Sequence, residues 1–148
     1  MDTGTQEDKK SMVSAFILER TAKRMKQFFQ QELAKAEVEI TIDQWIILQE
    51  LDREDGQSQL ALAKSSFKDA PTVTRIIDLL SKKGLVERQT DEMDRRRFKI
   101  VLTEVGKHKI KEVLPIIRQS RAKAWCCLNE DEMDGLVRSL NKVFLNLE

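Results

Sequence analysis

Apolar residues in this chain recur at two different spacings, and the change from one to the other divides it. From about Ser11 to Lys35, the residues Val13, Ile17, Leu18, Ala22, Met25, Phe28, Phe29 and Leu33 fall mostly three or four positions apart. That spacing predicts one long amphipathic helix. Its apolar side chains are large and need a surface to pack on. The ten residues before it are polar and are expected to fray.

Shorter helices follow. Thr41-Ile42-Asp43-Gln44 can form a capping box opening a second helix, with Trp45, Ile46, Leu48 and Leu51 facing a core. Glu54-Asp55-Gly56 ends it. A third, short helix is predicted from near Ser58, carrying Leu60, Leu62 and Ala63. Asp69 or Ala70 then caps a fourth helix, with Pro71 in its first turn, where a missing N–H costs little. Val73, Ile76, Ile77 and Leu80 point inward, and Gly84 suits the position just past its end.

The period then drops to two. Leu85–Gln89 reads as a strand, and Phe98–Leu102 as its return, with Phe98, Ile100 and Leu102 on one face. Between them lies a charged turn, Asp91-Glu92-Met93-Asp94-Arg95-Arg96-Arg97. Thr103 caps a fifth helix running to about Cys127, and Pro115 inside it is expected to kink or split it. Asn129-Glu130-Asp131-Glu132 is a second capping box, with Leu128 and Met133 placed as a hydrophobic staple. The last helix, 129–147, carries Leu136, Val137, Leu140, Val143, Phe144 and Leu147.

Composition agrees with this reading. Breakers are scarce, with 5 Gly and 2 Pro in 148 residues, which favours a mainly helical fold. The length suits one compact domain, or one domain with dimerisation extensions. There is no apolar run long enough to cross a membrane and no signal-peptide pattern, so the expectation is a cytoplasmic protein with no membrane partner. Net charge is only +1, but Lys64 to Lys111 holds 13 Lys/Arg against 7 Asp/Glu and so carries +6. A basic middle between acidic ends is the pattern of a DNA-contacting module flanked by helices that stay away from DNA.

Enzyme chemistry finds no support. The chain has one histidine, no glycine-rich phosphate loop, no His/Cys metal spacing and no nucleophile elbow, and no cofactor is expected. Cys126 and Cys127 are adjacent. Neighbouring cysteines rarely bridge each other because the ring is strained, so two helix thiols are the plain reading and redox sensing the sharper one.

Two short helices with a tight turn, then a hairpin, describe a winged helix-turn-helix. The recognition helix would be Asp69 to Lys83, its first turn entering the major groove. Pro71 lies in that turn. Thr72 and Thr74 offer hydroxyls and methyls to base edges, and Arg75 can fork onto a guanine or a phosphate. Lys68, Lys82 and Lys83 suit backbone phosphates. The arginines of the hairpin tip suit a minor groove, where arginine finds negative potential, or else form a solvated turn.

The residues Leu62-Ala63, Thr72-Val73-Thr74-Arg75, Leu80, Lys83-Gly84-Leu85-Val86-Glu87-Arg88, Asp91-x-x-Asp94-Arg95-Arg96 and Leu102-Thr103-x-x-Gly106 form a nearly continuous pattern. It resembles the MarR family of bacterial transcription regulators. The resemblance implies a mainly α fold with a small β-hairpin wing: a winged helix-turn-helix DNA-binding domain at 37–111 and a helical dimerisation region from 1–36 and 112–148. It implies a homodimer that binds double-stranded DNA at a pseudo-palindromic operator, commonly as a repressor. It implies that Arg96 enters the minor groove, held by an ion pair to Asp94, with Arg95 and Arg97 as supporting charge. It also implies release by a small aromatic effector in a cleft between the two domains, for which Phe16, Met25, Trp45 and His108 are conceivable lining residues. Each of these four is equally readable as plain core or surface.

The chain departs from the family pattern in two places. The turn before the recognition helix lacks the usual glycine and has Phe67-Lys68-Asp69-Ala70-Pro71 instead. No cysteine lies near the first helix, so the resemblance does not support organic-peroxide sensing. An alternative to the DNA-binding reading is a winged-helix protein-interaction module with little specific DNA binding.

Overall fold

The structure is a computed structural model that describes residues 4–148. Its elements run α1 (Gln6–Lys35), α2 (Ile42–Arg53), β1 (Gln57–Ser58), α3 (Gln59–Ser66), α4 (Ala70–Lys82), β2 (Val86–Thr90), β3 (Phe98–Leu102), α5 (Glu104–Ala124) and α6 (Glu130–Asn146).

Helix α1 begins at Gln6 rather than Ser11. Thr5 Oγ1 accepts the Asp8 N–H at 3.2 Å, and the Asp8 carboxylate accepts the Thr5 N–H at 3.3 Å. The first turn is polar and shows no periodicity, but this capping box holds it. The expectation of fraying is therefore corrected for residues 6–10, and residues 1–3 lie outside the described residues. Helix α2 opens on its predicted box, Thr41 with Gln44. It buries Trp45, Ile47, Leu48 and Leu51, while Ile46 is only half-buried.

Helix α3 is capped by Ser58 and buries Leu62 and Ala63, but Leu60 faces outward. It ends at Phe67, whose φ of 55° lies in the left-handed region. That residue makes the tight turn without a glycine. Asp69 then caps α4, which buries Val73, Ile76, Ile77 and Leu80 and stops before Gly84 at φ +72°.

The sheet has three strands, in the order β1-β3-β2, rather than the two of a simple hairpin. Strand β1 is too short to show alternation in sequence. It pairs antiparallel with β3, Gln57 opposite Ile100. Strand β2 pairs with β3 from Val86↔Leu102 to Thr90↔Phe98.

Helix α5 is continuous through Pro115, correcting the expected split. Pro115 and Lys111, whose carbonyl loses its partner, both lie on the exposed side, where the carbonyl is open to solvent. Burial of Ile110, Val113 and Ile117 holds the opposite face. The helix stops at Ala124, so both cysteines lie beyond it.

The base of α5 is pinned to the foot of the wing. Thr103 Oγ1 accepts the Gly106 N–H at 3.0 Å and donates to Gly84 O at 2.6 Å, while the Thr103 N–H donates to Leu85 O at 3.1 Å. A Cβ on Gly106 would lie 2.0 Å from Leu85 O. The Leu-Thr-x-x-Gly motif thus permits backbone-to-backbone approach of α5 on the wing.

The core gathers residues of α2, α3, α4, β2, β3 and α5 around Leu48, Leu62, Ile77, Leu80 and Ile100. The terminal helices differ. Only Leu33 of α1 is buried, and α6 buries no residue although it carries Val137, Leu140, Val143 and Phe144.

Candidate nucleic-acid interface

The first turn of α4 presents Pro71, Thr74 and Arg75 exposed and Thr72 half-buried. Asp69 organises this turn: one carboxylate oxygen accepts the Thr72 N–H and the other the Thr72 hydroxyl, both at 2.8 Å. The Thr72 N–H is the largest cause holding the Asp69 carboxyl below its usual range, followed by the Thr72 hydroxyl; together they outweigh the effect of burial. The cap is therefore ionised at neutral pH.

A chain of polar contacts that the sequence did not disclose braces this helix. Thr74 Oγ1 donates to Ala70 O and accepts from Gln59 Nε2, each at 3.0 Å. Gln59 Oε1 in turn accepts from Arg88 Nε at 3.0 Å, and Arg88 Nη2 meets Asp78 Oδ1 at 2.6 Å. The chain links α3, α4 and β2. The only sequence signal was Arg88 within the Leu-Val-Glu-Arg run.

The wing tip is a seven-residue turn, residues 91–97, shaped by its carboxylates. Asp91 Oδ1 accepts the Met93 N–H at 2.9 Å, and Asp94 Oδ1 accepts the Arg96 N–H at 3.0 Å. These are aspartate turns, in which a short side chain substitutes for backbone. The Asp94 ion pair runs to Arg97 Nε at 3.7 Å, not to the Arg96 guanidinium. Asp94 thus fixes the backbone of Arg96 and leaves its side chain without an ion pair among the described residues. Arg95, Arg96 and Arg97 are all exposed.

The lysines divide into two sets. Lys82 is exposed on α4. Lys68 is turned inward: its ammonium lies 2.7 Å from Asp43 Oδ1 and its side chain is only 15% exposed, which corrects its reading as a phosphate contact. Lys26 of α1 meets the same oxygen at 3.1 Å. Burial pushes the Asp43 carboxyl up, but the bonds and charges of Lys68 and Lys26 outweigh it and hold it below its usual range. Lys83 donates to Glu39 O and Gln44 Oε1.

Of the four conceivable cleft residues, two meet. Met25 and Trp45 line a cavity of about 280 Å³ between α1, α2 and α5, with Phe29, Ile117, Arg121 and Trp125. Trp45 Nε1 is buried without a hydrogen-bond partner among the described residues. Phe16 lies away from it, 62% exposed on α1 with the Arg20 guanidinium 5.9 Å from its ring centroid. His108 is exposed and borders a separate polar groove with Asp52, Glu104 and Lys111. Among the described residues, no three His, Cys, Asp or Glu side chains gather as metal ligands, and no helix is long and apolar enough to cross a membrane.

A sequence model of the MarR family matches residues 40–98, the span from the end of the α1–α2 connection to the first residue of β3. Over these residues, the winged-helix part of the chain, the sequence matches the MarR family. Known structures place the remaining helices of this chain in the same frame. The MepR–DNA complex of Staphylococcus aureus is 27% identical with a TM-score of 0.80, over 89% of this chain and 96% of that one. Bordetella bronchiseptica BpsR, whose DNA binding is regulated by 6-hydroxynicotinic acid, is 26% identical with a TM-score of 0.79, over 88% and 97%. A probable transcriptional regulator of Pseudomonas aeruginosa is 26% identical with a TM-score of 0.78, over 87% and 95%. The MarR fold, mainly α with a small β wing, supports a DNA-binding transcriptional regulator, and MarR-family regulators are not enzymes.

Proposed function

We propose that this protein is a homodimeric repressor that binds a pseudo-palindromic operator and is released by a small aromatic effector. Residues 37–111 form the DNA-binding domain, and 1–36 with 112–148 the dimerisation region. Pro71, Thr72, Thr74 and Arg75 face the major groove and Arg96 the minor groove, with Arg95 and Arg97 as supporting charge, Asp94 ordering the turn and Lys82 meeting phosphate. The observation that carries this reading is Arg96: its backbone is fixed by Asp94 while its guanidinium stays exposed. A fixed anchor with a free cationic end loses little entropy on docking.

The dimer is supported by the terminal helices. Met12, Val13 and Phe16 on α1 and Val137, Val143 and Phe144 on α6 are about half exposed or more. Apolar stripes at both ends of one chain suit a two-fold partner presenting the same stripes. The effector reading is supported by the cavity lined by Trp45 and Arg121, an indole ring and a cation among apolar walls. The regulation of BpsR by an aromatic acid is consistent with that chemistry.

Selection of bound duplexes from genomic fragments tests the proposal. A palindromic site should be enriched, and affinity for it should fall linearly on a log–log plot against salt. Arg96→Ala should weaken binding and reduce that slope by about 2, one for each protomer of the dimer. An absence of any enriched site, or full affinity in Arg96→Ala, overturns the proposal and favours a protein-interaction module.

A further inference from the structure

We propose that Cys126 and Cys127 form a chelating dithiol that captures mono-organyl trivalent arsenicals, RAs(OH)2, both sulfurs of one chain bonding one arsenic atom. The sulfurs lie 3.2 Å apart, and both residues are exposed. Neighbouring residues do not normally present side chains together: on a helix they diverge around the axis, and on a strand they point to opposite faces. Here the chain is in neither state. Helix α5 ends at Ala124, α6 is capped at Asn129, and Cys127 sits at φ +73°, a left-handed conformation uncommon for a residue with a Cβ. The Cys126 N–H still donates to Lys123 O, and the Leu128 N–H to Trp125 O, each at 3.4 Å. The turn between the helices thus brings two thiols to one side.

The spacing selects the ligand. A disulfide needs its sulfurs at about 2.05 Å, so oxidation requires this turn to contract and strain. Tetrahedral zinc, with Zn–S near 2.3 Å, sets its sulfurs about 3.8 Å apart and takes four ligands. No third ligating side chain gathers here among the described residues. Trivalent arsenic is soft, and its lone pair closes the S–As–S angle towards a right angle, so its sulfurs sit closer than those on zinc. With one organic substituent it needs only two sulfurs.

The state of the thiols agrees. The hydrogen bond shared with Cys127, and then burial, hold the Cys126 thiol above its usual range. It is the thiolate that attacks a peroxide, so a Cys126 held as the thiol oxidises slowly. Arsenical capture starts from thiols: RAs(OH)2 and two R′SH give RAs(SR′)2 and two H2O. Two As–O bonds break and two As–S bonds form; each thiol proton leaves on a hydroxide oxygen, and arsenic stays trivalent. No oxidant is needed.

The test uses the reduced full chain with phenylarsine oxide, which hydrates to this class. Intact mass spectrometry should show one phenylarsenic group per chain, with loss of two thiol hydrogens. A dithiol should reverse the adduct and a monothiol in equal excess should not. Emission of Trp125, one residue before the pair, should change on capture. Cys126→Ser and Cys127→Ser, at exposed positions, should keep the circular dichroism and melting temperature of the parent yet each lose the dithiol-reversible adduct. No adduct on the reduced parent, an adduct retained equally by a serine variant, or one arsenic shared between two chains overturns the proposal.

Discussion

Arg88 of strand β2 meets Asp78 of helix α4 at 2.6 Å, so the first strand of the wing holds that helix by its outer face. Both side chains are partly exposed, 28% and 52%, and such a pair contributes only about 0.5–1 kcal/mol to folding. Its larger effect is on position, because the same guanidinium also holds Gln59, and through it Thr74. Arg88→Ala is therefore expected to lower stability slightly but weaken operator binding several-fold. Chemical denaturation and a binding titration on the same variant separate the two effects. Equal and small changes in both would refute the bracing role.

Gly106 and Gly84 should respond differently to alanine. A Cβ at Gly106 meets Leu85 O at 2.0 Å, backbone against backbone, so the helix or the wing must shift. Gly106→Ala should cost about 3 kcal/mol or more, as overpacking does at its upper end. Gly84 has open space around it and is constrained only by φ +72°. Gly84→Ala should cost about 1 kcal/mol. Thermal melts of the two variants give the comparison, and a Gly106→Ala melting point at or above that of Gly84→Ala contradicts it.

Asp43 makes stability depend on pH. The fold holds its carboxyl below the ordinary value near 3.9, through Lys68 and Lys26 against burial. On acidification the unfolded chain takes up this proton first, so the stabilisation is complete above the unfolded value and fades as pH falls through the lower folded one. Asp43→Asn should be less stable than the parent by a constant amount at neutral pH, and the gap should close below about pH 4. Urea denaturation across pH 2–7 measures it; a gap that persists unchanged at the acid end would rule out ionisation of Asp43 as its source.

The proposed dimer predicts a distant effect on DNA. Leu140 on α6 is partly exposed in the single chain and far in sequence from the wing. Leu140→Glu should leave the circular dichroism unchanged, shift sedimentation towards a monomer and abolish tight binding to a two-half-site operator. A variant that stays dimeric, or that binds normally as a monomer, removes α6 from the proposed interface.

The local signals in this sequence were legible and the long-range ones were not. The boxes Thr41–Gln44 and Asn129–Glu132 and the Asp69 cap each close within four residues, and each is present in the fold. The Thr5–Asp8 box is equally local, but it precedes the apolar residues of the helix, so periodicity alone missed the start of α1. Strand β1 exists only through its pairing across to Ile100. Lys68 reaches an aspartate 25 positions away and Lys83 a glutamine 39 away. Nothing near either lysine in sequence marks it as already engaged. Asp94 sat in the right motif, but which arginine it pairs with depends on the conformation of a seven-residue turn.

The junction at Thr103, Gly106 and Leu85 has a mechanical consequence. Helix α5 is about 30 Å long at 1.5 Å per residue, and its base is bonded to the root of β2 with no intervening linker. Helix and wing therefore form one crank. A tilt applied at the Trp125 end, beside the cavity and the thiol pair, would therefore be carried to the foot of the wing rather than absorbed at a joint.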